Sequence, residues 1–302
     1  MTLVATSADR GRATLVGAGA VALWSSFALL ATMMGPIPPF QATAVTFAVG
    51  TLVGMATTVA GGRSVTAPLR QRPSAWLLGV TGLFGYHALY FVALRLAPPV
   101  EANLINYLWP LLIVLFSGLL PGERLGRAQL AGAALGLAGT ALVVTGGNGL
   151  SIQAANLPGY LAALGCAVTW AAYSVLSRLF GDVPTDAVSG FCLATSLLAA
   201  VCHLAFETWV PPSAMDWVLL LVLGLGPLGA AFFLWDHGVK RGDIQVLGAI
   251  SYATPLLSTL LLVASGRATP SLNVLAATVL IVGGAFLASR GLMRKNPRPE
   301  TD

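Results

Sequence analysis

The sequence predicts an all-α integral membrane protein with ten transmembrane helices, arranged as two five-helix repeats of inverted topology. Three observations predict this fold class: an apolar composition, long intervals without charge, and an internal repeat. Of the 302 residues, 56% are hydrophobic and 9% are charged. A soluble globular domain carries about 25% charged residues, so this chain has too few ionised side chains to cover a compact soluble body. The composition argues against a soluble enzyme, a disordered chain and a nucleic-acid-binding protein.

The ten helices follow from the gaps between charged residues. A transmembrane helix needs about 20 residues with few or no charges. Six charge-free intervals have about that length, and two are about twice as long. Each long interval has a group of helix breakers near its middle, residues 35–39 in the first and residues 146–149 with Pro158 in the second, so each predicts two helices. The charge-free intervals are 13–62, 73–94, 102–122, 128–177, 187–206, 217–235, 244–266 and 268–289.

The distribution of positive charge orients these helices. With the N-terminus inside, fourteen of the sixteen Lys and Arg residues lie on cytoplasmic segments, and only Arg95 and Arg267 lie outside. Both termini are therefore expected in the cytoplasm, and the net charge of +5 needs no nucleic-acid partner. The first apolar run is longer than a secretory signal core, so no cleavable signal is expected. The predicted domains are a cytoplasmic tail (1–12), a first repeat (13–145), a second repeat (157–290) and a second cytoplasmic tail (291–302).

The two halves of the chain resemble each other at a nearly constant offset. Because five is an odd number, the second half must enter the membrane from the opposite side. This is the arrangement of many secondary transporters, whose solutes bind near the midplane between the halves. The matched segments are Trp24–Phe27 with Trp170–Tyr173 and Asn106–Pro110 with Ser251–Pro255, and on the same alignment Tyr90 corresponds to Trp235 and Arg95 to Lys240.

Two prolines, Pro110 and Pro255, fall in the middle of corresponding predicted helices. A proline inside a helix frees a backbone carbonyl, which protein or water must satisfy within a membrane. We expect both prolines to act as hinges or kinks beside the binding site, and a simple packing kink is the alternative.

These motifs resemble those of the drug/metabolite transporter superfamily, and within it the EamA-type exporters. The resemblance rests on the ten helices, the two repeats, the Trp24 and Trp170 motifs, the Tyr-x-x-Pro motifs and the stretch from Pro110 to Gly139, and it covers residues 12–290. Residues 86–90 and 103–110 make the chain most similar to the bacterial YddG-like aromatic amino acid exporters. The resemblance implies a carrier in the bacterial inner membrane that moves small metabolites outward. The second repeat departs from the pattern, because Arg267 stands where the first repeat has Glu123.

Polar and aromatic side chains at membrane depth mark the predicted solute site, because positions that face lipid favour aliphatic residues. Helical spacing places the candidates of the third helix on neighbouring faces, and those of the fourth along one stripe. The deep tryptophans are expected to line a cavity, and core packing is their alternative role. The predicted substrate-binding residues are Trp24, Tyr86, His87, Tyr90, Asn103, Asn106, Tyr107, Trp109, Trp170, Tyr173 and Tyr252.

Two other groups carry alternative interpretations. His87 is either a structural histidine with one hydrogen bond to a neighbouring helix or a proton-sensitive group in the cavity. Asp236, His237, Lys240, Arg241 and Asp243 could form an inner gate or an anion site. We interpret them as a solvated cytoplasmic turn that obeys the positive-inside rule.

The charges that the centre lacks predict the class of solute. No Lys or Arg is expected at mid-membrane, which argues against phosphorylated solutes, and no carboxylate is expected there to hold a lipophilic cation. A neutral or zwitterionic solute remains, with aromatic and other amino acids favoured, because its ammonium can lie on aromatic faces. The alternatives are another neutral metabolite or drug-like solute, a channel, and a non-transporting receptor. Proton coupling and facilitated diffusion both fit the sequence.

No enzyme, cofactor or metal is predicted. The three histidines lack zinc-protease spacing, there is no nucleophile elbow, and no Walker motif points to ATP. Cys166, Cys192 and Cys202 lie inside apolar stretches without metal-ligand spacing, so we expect them to be buried small side chains. The expected partners are a small-molecule solute and the lipid bilayer. The sequence is compatible with a monomer and leaves the oligomeric state open.

Overall fold

The computed structural model describes residues 7–121, 123–148, 153–267, 269 and 271–294, and the side chains of Ser7 and of residues 289–294 are outside this description. Within this part of the chain, nine helical segments are long and apolar enough to cross a membrane, and a shorter apolar helix, Leu272–Ala288, follows them. The prediction of an all-helical membrane protein is confirmed. Gly149, in the second breaker group, and most of the two predicted tails lie outside the described residues.

Fifteen α-helices build ten spans within the described ranges, because five spans are interrupted. Spans 2, 3, 4 and 6 have proline in their first turn, where the missing N–H has no partner inside the helix anyway. The spans are, in order, Ser7–Ser25 (α1) with Phe27–Met33 (α2); Pro39–Ala60 (α3); Pro73–Val80 (α4) with Tyr86–Leu96 (α5); Pro99–Asn106 (α6) with Trp109–Ser117 (α7); Arg127–Thr145 (α8); Leu157–Leu176 (α9); Ala187–Phe206 (α10); Ala214–Leu225 (α11) with Ala231–Arg241 (α12); Ile244–Ile250 (α13) with Ala253–Ala264 (α14); and Leu272–Arg294 (α15).

The interruptions in four of these spans repeat between the two halves. Spans 3 and 8 each contain one π-helical turn, Thr81–Gly85 and Gly226–Ala230, with a constant offset of 145 residues. Spans 4 and 9 each break immediately before the matched prolines, between α6 and α7 and between α13 and α14. Pro110 and Pro255 therefore lie in the first turn of a new helix rather than inside a continuous one, where proline is tolerated. Their role as hinges stays a prediction.

Packing between the spans also follows the repeat. Span 1 packs mainly on span 8, and its counterpart, span 6, packs on span 3, while spans 2 and 7 and spans 5 and 10 pair with each other. Glycines let these backbones approach closely. A Cβ on Gly132 in α8 would collide with the carbonyl oxygen of Gly284 in α15, and Gly238 in α12 lies directly against Gly17 in α1.

The bundle has two ends, which we name for what they carry. The terminal face is the end where span 1 begins and span 10 ends. The vestibule face is the opposite end, where residues 34–38 connect spans 1 and 2. Acidic side chains tie loops together at the vestibule face: the Asp216 carboxylate accepts from the backbone N–H of Gly35 at 2.7 Å, and that of Glu207 accepts from Phe40 and Gln41 at 3.0 and 3.1 Å.

Candidate functional site

A cavity of about 450 Å³ lies in the middle of the bundle and extends toward the vestibule face. It is lined by spans 1 to 4, together with side chains of spans 6, 8 and 9. Nine of the predicted site residues line it: Trp24, Tyr86, His87, Tyr90, Asn103, Asn106, Tyr107, Trp109 and Trp170. Tyr173, Tyr252, Pro110 and Pro255 lie outside its lining. The structure thus brings most of the predicted residues to one cavity, and their binding roles stay predictions.

Four tryptophans from spans 1, 4, 6 and 8 close the cavity toward the terminal face. Trp24, Trp109, Trp170 and Trp235 all contact one another, with ring centroids 5.2 to 6.4 Å apart. Edge-to-face and offset contacts of this kind are favourable aromatic geometries. The first three line the cavity, while Trp235 is fully buried behind them and donates from Nε1 to the Ser174 hydroxyl at 3.0 Å. We call these four residues the tryptophan floor.

Trp235 was missed as a site residue by sequence reasoning. Its repeat alignment with Tyr90, which lines the cavity, was the available signal. The charged residues that follow Trp235 in the sequence favour a solvated turn at the end of span 8, and not a deeply buried position for this tryptophan.

Tyrosine and asparagine form the polar wall of the cavity on spans 3 and 4. The Tyr90 hydroxyl donates to Asn103 Oδ1 at 2.5 Å, and Asn106 Nδ2 donates to the Tyr86 hydroxyl at 3.1 Å. The remaining amide atom of Asn106, Oδ1, is buried without a hydrogen-bond partner among the described residues, and so is the hydroxyl of Thr254 on span 9. Buried polar atoms usually have partners, so these two can gain hydrogen bonds from a polar solute in the cavity.

His87 makes its hydrogen bond within its own helix. Its Nδ1 lies 2.7 Å from the carbonyl oxygen of Leu83, in the π-helical turn of span 3, and we assign Nδ1–H as the donor. Its ring packs edge-on against Phe47 at 5.1 Å. This geometry fits a structural histidine whose partner is its own span rather than a neighbouring helix. A proton-sensitive role stays a prediction.

Most of the rest of the lining is apolar. Among the described residues, no Lys, Arg, Asp or Glu side chain lines the cavity, which agrees with the charge pattern expected from the sequence. Phenylalanine, leucine, isoleucine, methionine, proline and alanine make up most of it, with Phe27, Phe91 and Phe232 among them, and Thr43 and Thr46 are its polar exceptions. A mostly apolar cavity with a few polar atoms suits a small organic solute without net charge.

Tyr173 and Tyr252 are packed elsewhere in the bundle. Tyr252 is fully buried against Gly136, and its hydroxyl accepts from the backbone N–H of Leu111 at 3.1 Å. That N–H belongs to the first turn of α7, which has no partner inside its helix, so Tyr252 caps the break in span 4 from the other repeat. Tyr173 is 2% exposed and packs on Gly82.

Charged residues close the terminal face. Arg178 donates to the carbonyl oxygens of Val239 and Gly242 at 2.7 and 2.9 Å, and its other terminal nitrogen lies 3.2 Å from the Glu123 carboxylate. Arg10 pairs with the same carboxylate at 3.3 Å and with Asp243 at 3.2 Å. These contacts join span 1, the connection between spans 4 and 5, span 6 and the connection between spans 8 and 9.

The interpretation of residues 236–243 as a solvated turn is wrong for three of them. The side chains of Asp236 and Lys240 are 2% and 6% exposed and form an ion pair at 2.8 Å, and Asp243 is also buried. Asp236 and Lys240 are enclosed because the loop before span 7 folds over the end of span 8, whereas Asp243 pairs with Arg10 and caps the start of α13. In that loop the Val183 carbonyl oxygen accepts from Lys240, and Thr185 donates to Asp236.

Comparison with known proteins gives one consistent result. The EamA-like transporter family matches residues 11–145 and residues 157–290. The aromatic amino acid exporter YddG of Ancylobacter novellus is 53% identical over 93% of this chain and 98% of its own length. The protein of the same name from Escherichia coli is 28% identical over 92% of this chain and 97% of its own. A crystal structure with 53% identity superposes with a TM-score of 0.89 and covers 93% of this chain and 99% of the other.

Proposed function

We propose that this chain, which belongs to the EamA-like transporter family, exports aromatic and other neutral amino acids across the bacterial cytoplasmic membrane. It is a multi-pass membrane transporter and not an enzyme. The observation that carries the proposal is the central cavity with its tryptophan floor, which within the described part of the chain has two polar atoms without partners and no ionised side chain. Two relatives named as aromatic amino acid exporters, at 53% and 28% identity, support the same solute class.

The cavity offers a separate contact for each part of an amino acid. The exposed faces of the tryptophan floor suit an aromatic side chain, since offset and edge contacts between rings are favourable. Oδ1 of Asn106 can accept from the α-ammonium group, and the Thr254 hydroxyl can donate to the α-carboxylate. A zwitterion has no net charge, so the absence of fixed cations and anions from the lining costs it nothing in long-range attraction.

The transport cycle in this proposal is alternating access between the two repeats. The cavity is open toward the vestibule face, while the tryptophan floor and the charged contacts of Arg178 and Arg10 close the terminal face. Of the fourteen Lys and Arg residues in the described part of the chain, twelve belong to segments at the terminal face, which supports a cytoplasmic position for that face and for both termini. The structure then corresponds to the state that releases solute outward.

Uptake of labelled tryptophan into proteoliposomes, with unlabelled solutes as competitors, tests this proposal. Phenylalanine, tyrosine and other neutral amino acids should compete, because they share the zwitterionic group and an apolar side chain. Sugar phosphates and organic cations should not, because no residue that the structure describes brings an opposite charge to the cavity lining. Competition by a sugar phosphate as strong as that by phenylalanine would contradict the proposal, and so would folded protein without tryptophan transport.

A further inference from the structure

A second, much smaller cavity of about 10 Å³ lies near the terminal face, between spans 3, 6, 7 and 8. It has room for about one water molecule. Tyr173, Phe180 and Phe191 line it together with the ion pair of Asp236 and Lys240. The tyrosine hydroxyl is buried and makes no hydrogen bond among the described residues.

The repeat relates this small cavity to the central one. Phe27, Met34, Thr46 and Phe91 line the central cavity on spans 1, 2 and 3. At an offset of 145 or 146 residues, their counterparts on spans 6, 7 and 8 are Tyr173, Phe180, Phe191 and Asp236, and all four line the small cavity. The same repeat positions therefore form an open vestibule at one face and a closed one at the other. Exposure shows the difference, since Phe27 is 41% exposed and Tyr173 is 2% exposed.

We infer that the small cavity is the closed form of a second vestibule at the terminal face, and that Asp236 and Lys240 bind the zwitterionic group of the solute there when it opens. The inference rests on the proposed function for the identity of the solute. It assigns a binding site, for α-amino acids, to residues outside the central cavity.

The charges of the pair give this site its chemistry. If spans 6 to 8 adopted the arrangement that spans 1 to 3 have in this structure, Asp236 would become exposed. It would occupy the position at which the open vestibule has the neutral Phe91. In the closed state each charge is balanced by the other at 2.8 Å, and a lone buried charge would be costly. The two residues lie one turn apart on α12, so the pair moves with that helix and stays together when the vestibule opens. A zwitterion can bind across it, with its ammonium on Asp236 and its carboxylate on Lys240. The Tyr173 hydroxyl, which meets the distance and angle criteria of a hydrogen bond with none of the described residues, can donate to the same carboxylate.

The first experiment measures whether this vestibule opens, and it does not depend on the solute. Ser177 is 2% exposed and lines the small cavity, so Ser177→Cys introduces a thiol there with little change in volume. The matched control is Ser189→Cys, which is equally buried near the same end of span 7 but faces Gly54 of span 2. Both are made after replacement of the native cysteines by serine, in vesicles that expose the terminal face.

A membrane-impermeant thiol reagent should label Ser177→Cys at least about tenfold faster than Ser189→Cys, since a 1.4 kcal/mol difference in opening already gives that ratio. Equal rates would overturn the inference, because the small cavity would then be ordinary packing. Added tryptophan should slow the labelling of Ser177→Cys. Fast labelling that no amino acid slows would support the second vestibule and contradict the assigned ligand.

The second experiment compares two solutes that differ in their charged groups. Lys240→Gln should raise the half-saturation concentration of tryptophan at the terminal face about tenfold or more, because it removes a hydrogen bond between two charged groups. Indole-3-propanamide, an uncharged solute that lacks both the carboxylate and the ammonium, should be affected little. Lys240→Arg keeps the positive charge and should restore the half-saturation concentration of tryptophan toward that of the wild-type protein.

A purely structural ion pair would give a different result, in which Lys240→Gln changes both solutes by the same factor. Equal changes would therefore overturn the assignment of Lys240. If wild-type protein transports neither solute while Ser177→Cys is labelled rapidly, the proposed solute class fails and the second vestibule stands.

Discussion

Replacement of Asn106 by leucine separates solute binding from stability more clearly than any tryptophan substitution. Asn106 is 5% exposed, and its side chain makes one hydrogen bond, from Nδ2 to the Tyr86 hydroxyl at 3.1 Å. Its Oδ1 has no hydrogen-bond partner in the part of the chain that the structure describes. Leucine has nearly the same shape, so Asn106→Leu removes both polar atoms and opens no large cavity. Trp109→Ala, in contrast, would remove a ring of the tryptophan floor and destabilise the bundle by about 3–5 kcal/mol.

The expected changes in free energy have opposite signs for folding and for binding. Loss of the bond to Tyr86 costs about 0.6 kcal/mol, the mean for hydrogen bonds between membrane helices. Removal of a buried acceptor that lacks a hydrogen-bond partner stabilises the folded state by about 1–3 kcal/mol. The free energy of unfolding should therefore stay the same or rise. A hydrogen bond to the solute ammonium contributes about 1.5–3 kcal/mol, so half-saturation for tryptophan should rise about 10- to 150-fold.

Two measurements on the same purified protein test this pair of expectations. Thermal unfolding in detergent reports stability, and concentration-dependent uptake into proteoliposomes reports half-saturation. Thr140→Val is the matched control, because it removes another buried hydroxyl without a partner, in α8 and outside the cavity lining. It should be neutral or stabilising and leave transport unchanged. Unchanged half-saturation in Asn106→Leu, or a loss of stability above about 1.5 kcal/mol, would refute the reasoning.

Three further predictions follow from other parts of the structure. Gly132→Ala should lower the free energy of unfolding by about 1–3 kcal/mol, because its Cβ meets a backbone oxygen of α15. The control is Gly283→Ala, whose Cβ meets no described atom within 4 Å. In thermal unfolding it should be neutral or stabilising by up to about 1 kcal/mol. Glu123→Gln weakens the contact with Arg178 and should raise the rate at which Ser177→Cys is labelled from the terminal face roughly tenfold; an unchanged rate would show that this pair does not hold the terminal face closed. An imposed proton gradient should leave tryptophan flux unchanged, since His87 bonds its own helix and no carboxylate lines the cavity among the described residues; gradient-driven accumulation would contradict this.

The sequence predicted the spans because charge and helix breakers act locally. The helix interruptions that depend on packing were harder to predict from the sequence. The π-helical turns at Thr81–Gly85 and Gly226–Ala230 have no residue signature of their own, although they repeat between the halves. Pro110 and Pro255 indicated where spans 4 and 9 are interrupted, but the cap that Tyr252 provides for α7 is a contact between repeats, which no local pattern contains.

The candidate site was predicted in composition more than in shape. Polar and aromatic residues at membrane depth identified nine residues of the lining, because lipid excludes them from the outer surface. Tyr173 matches Phe27 in the repeat, yet only Phe27 reaches the cavity. Two related repeats in a sequence do not show which repeat lines the open vestibule. Burial of Asp236 and Lys240 also escaped prediction, because the positive-inside rule gives the side of the membrane and not the depth of a side chain.

Counterflow tests the central claim most directly, that this protein carries amino acids by alternating access. Proteoliposomes loaded with unlabelled tryptophan are diluted into a trace of labelled tryptophan without any other gradient. A carrier exchanges one solute for the other, so labelled tryptophan should accumulate transiently above its external concentration and then decline. A monotonic rise to the external concentration, with the same rate in loaded and empty vesicles, would contradict alternating access and indicate a channel.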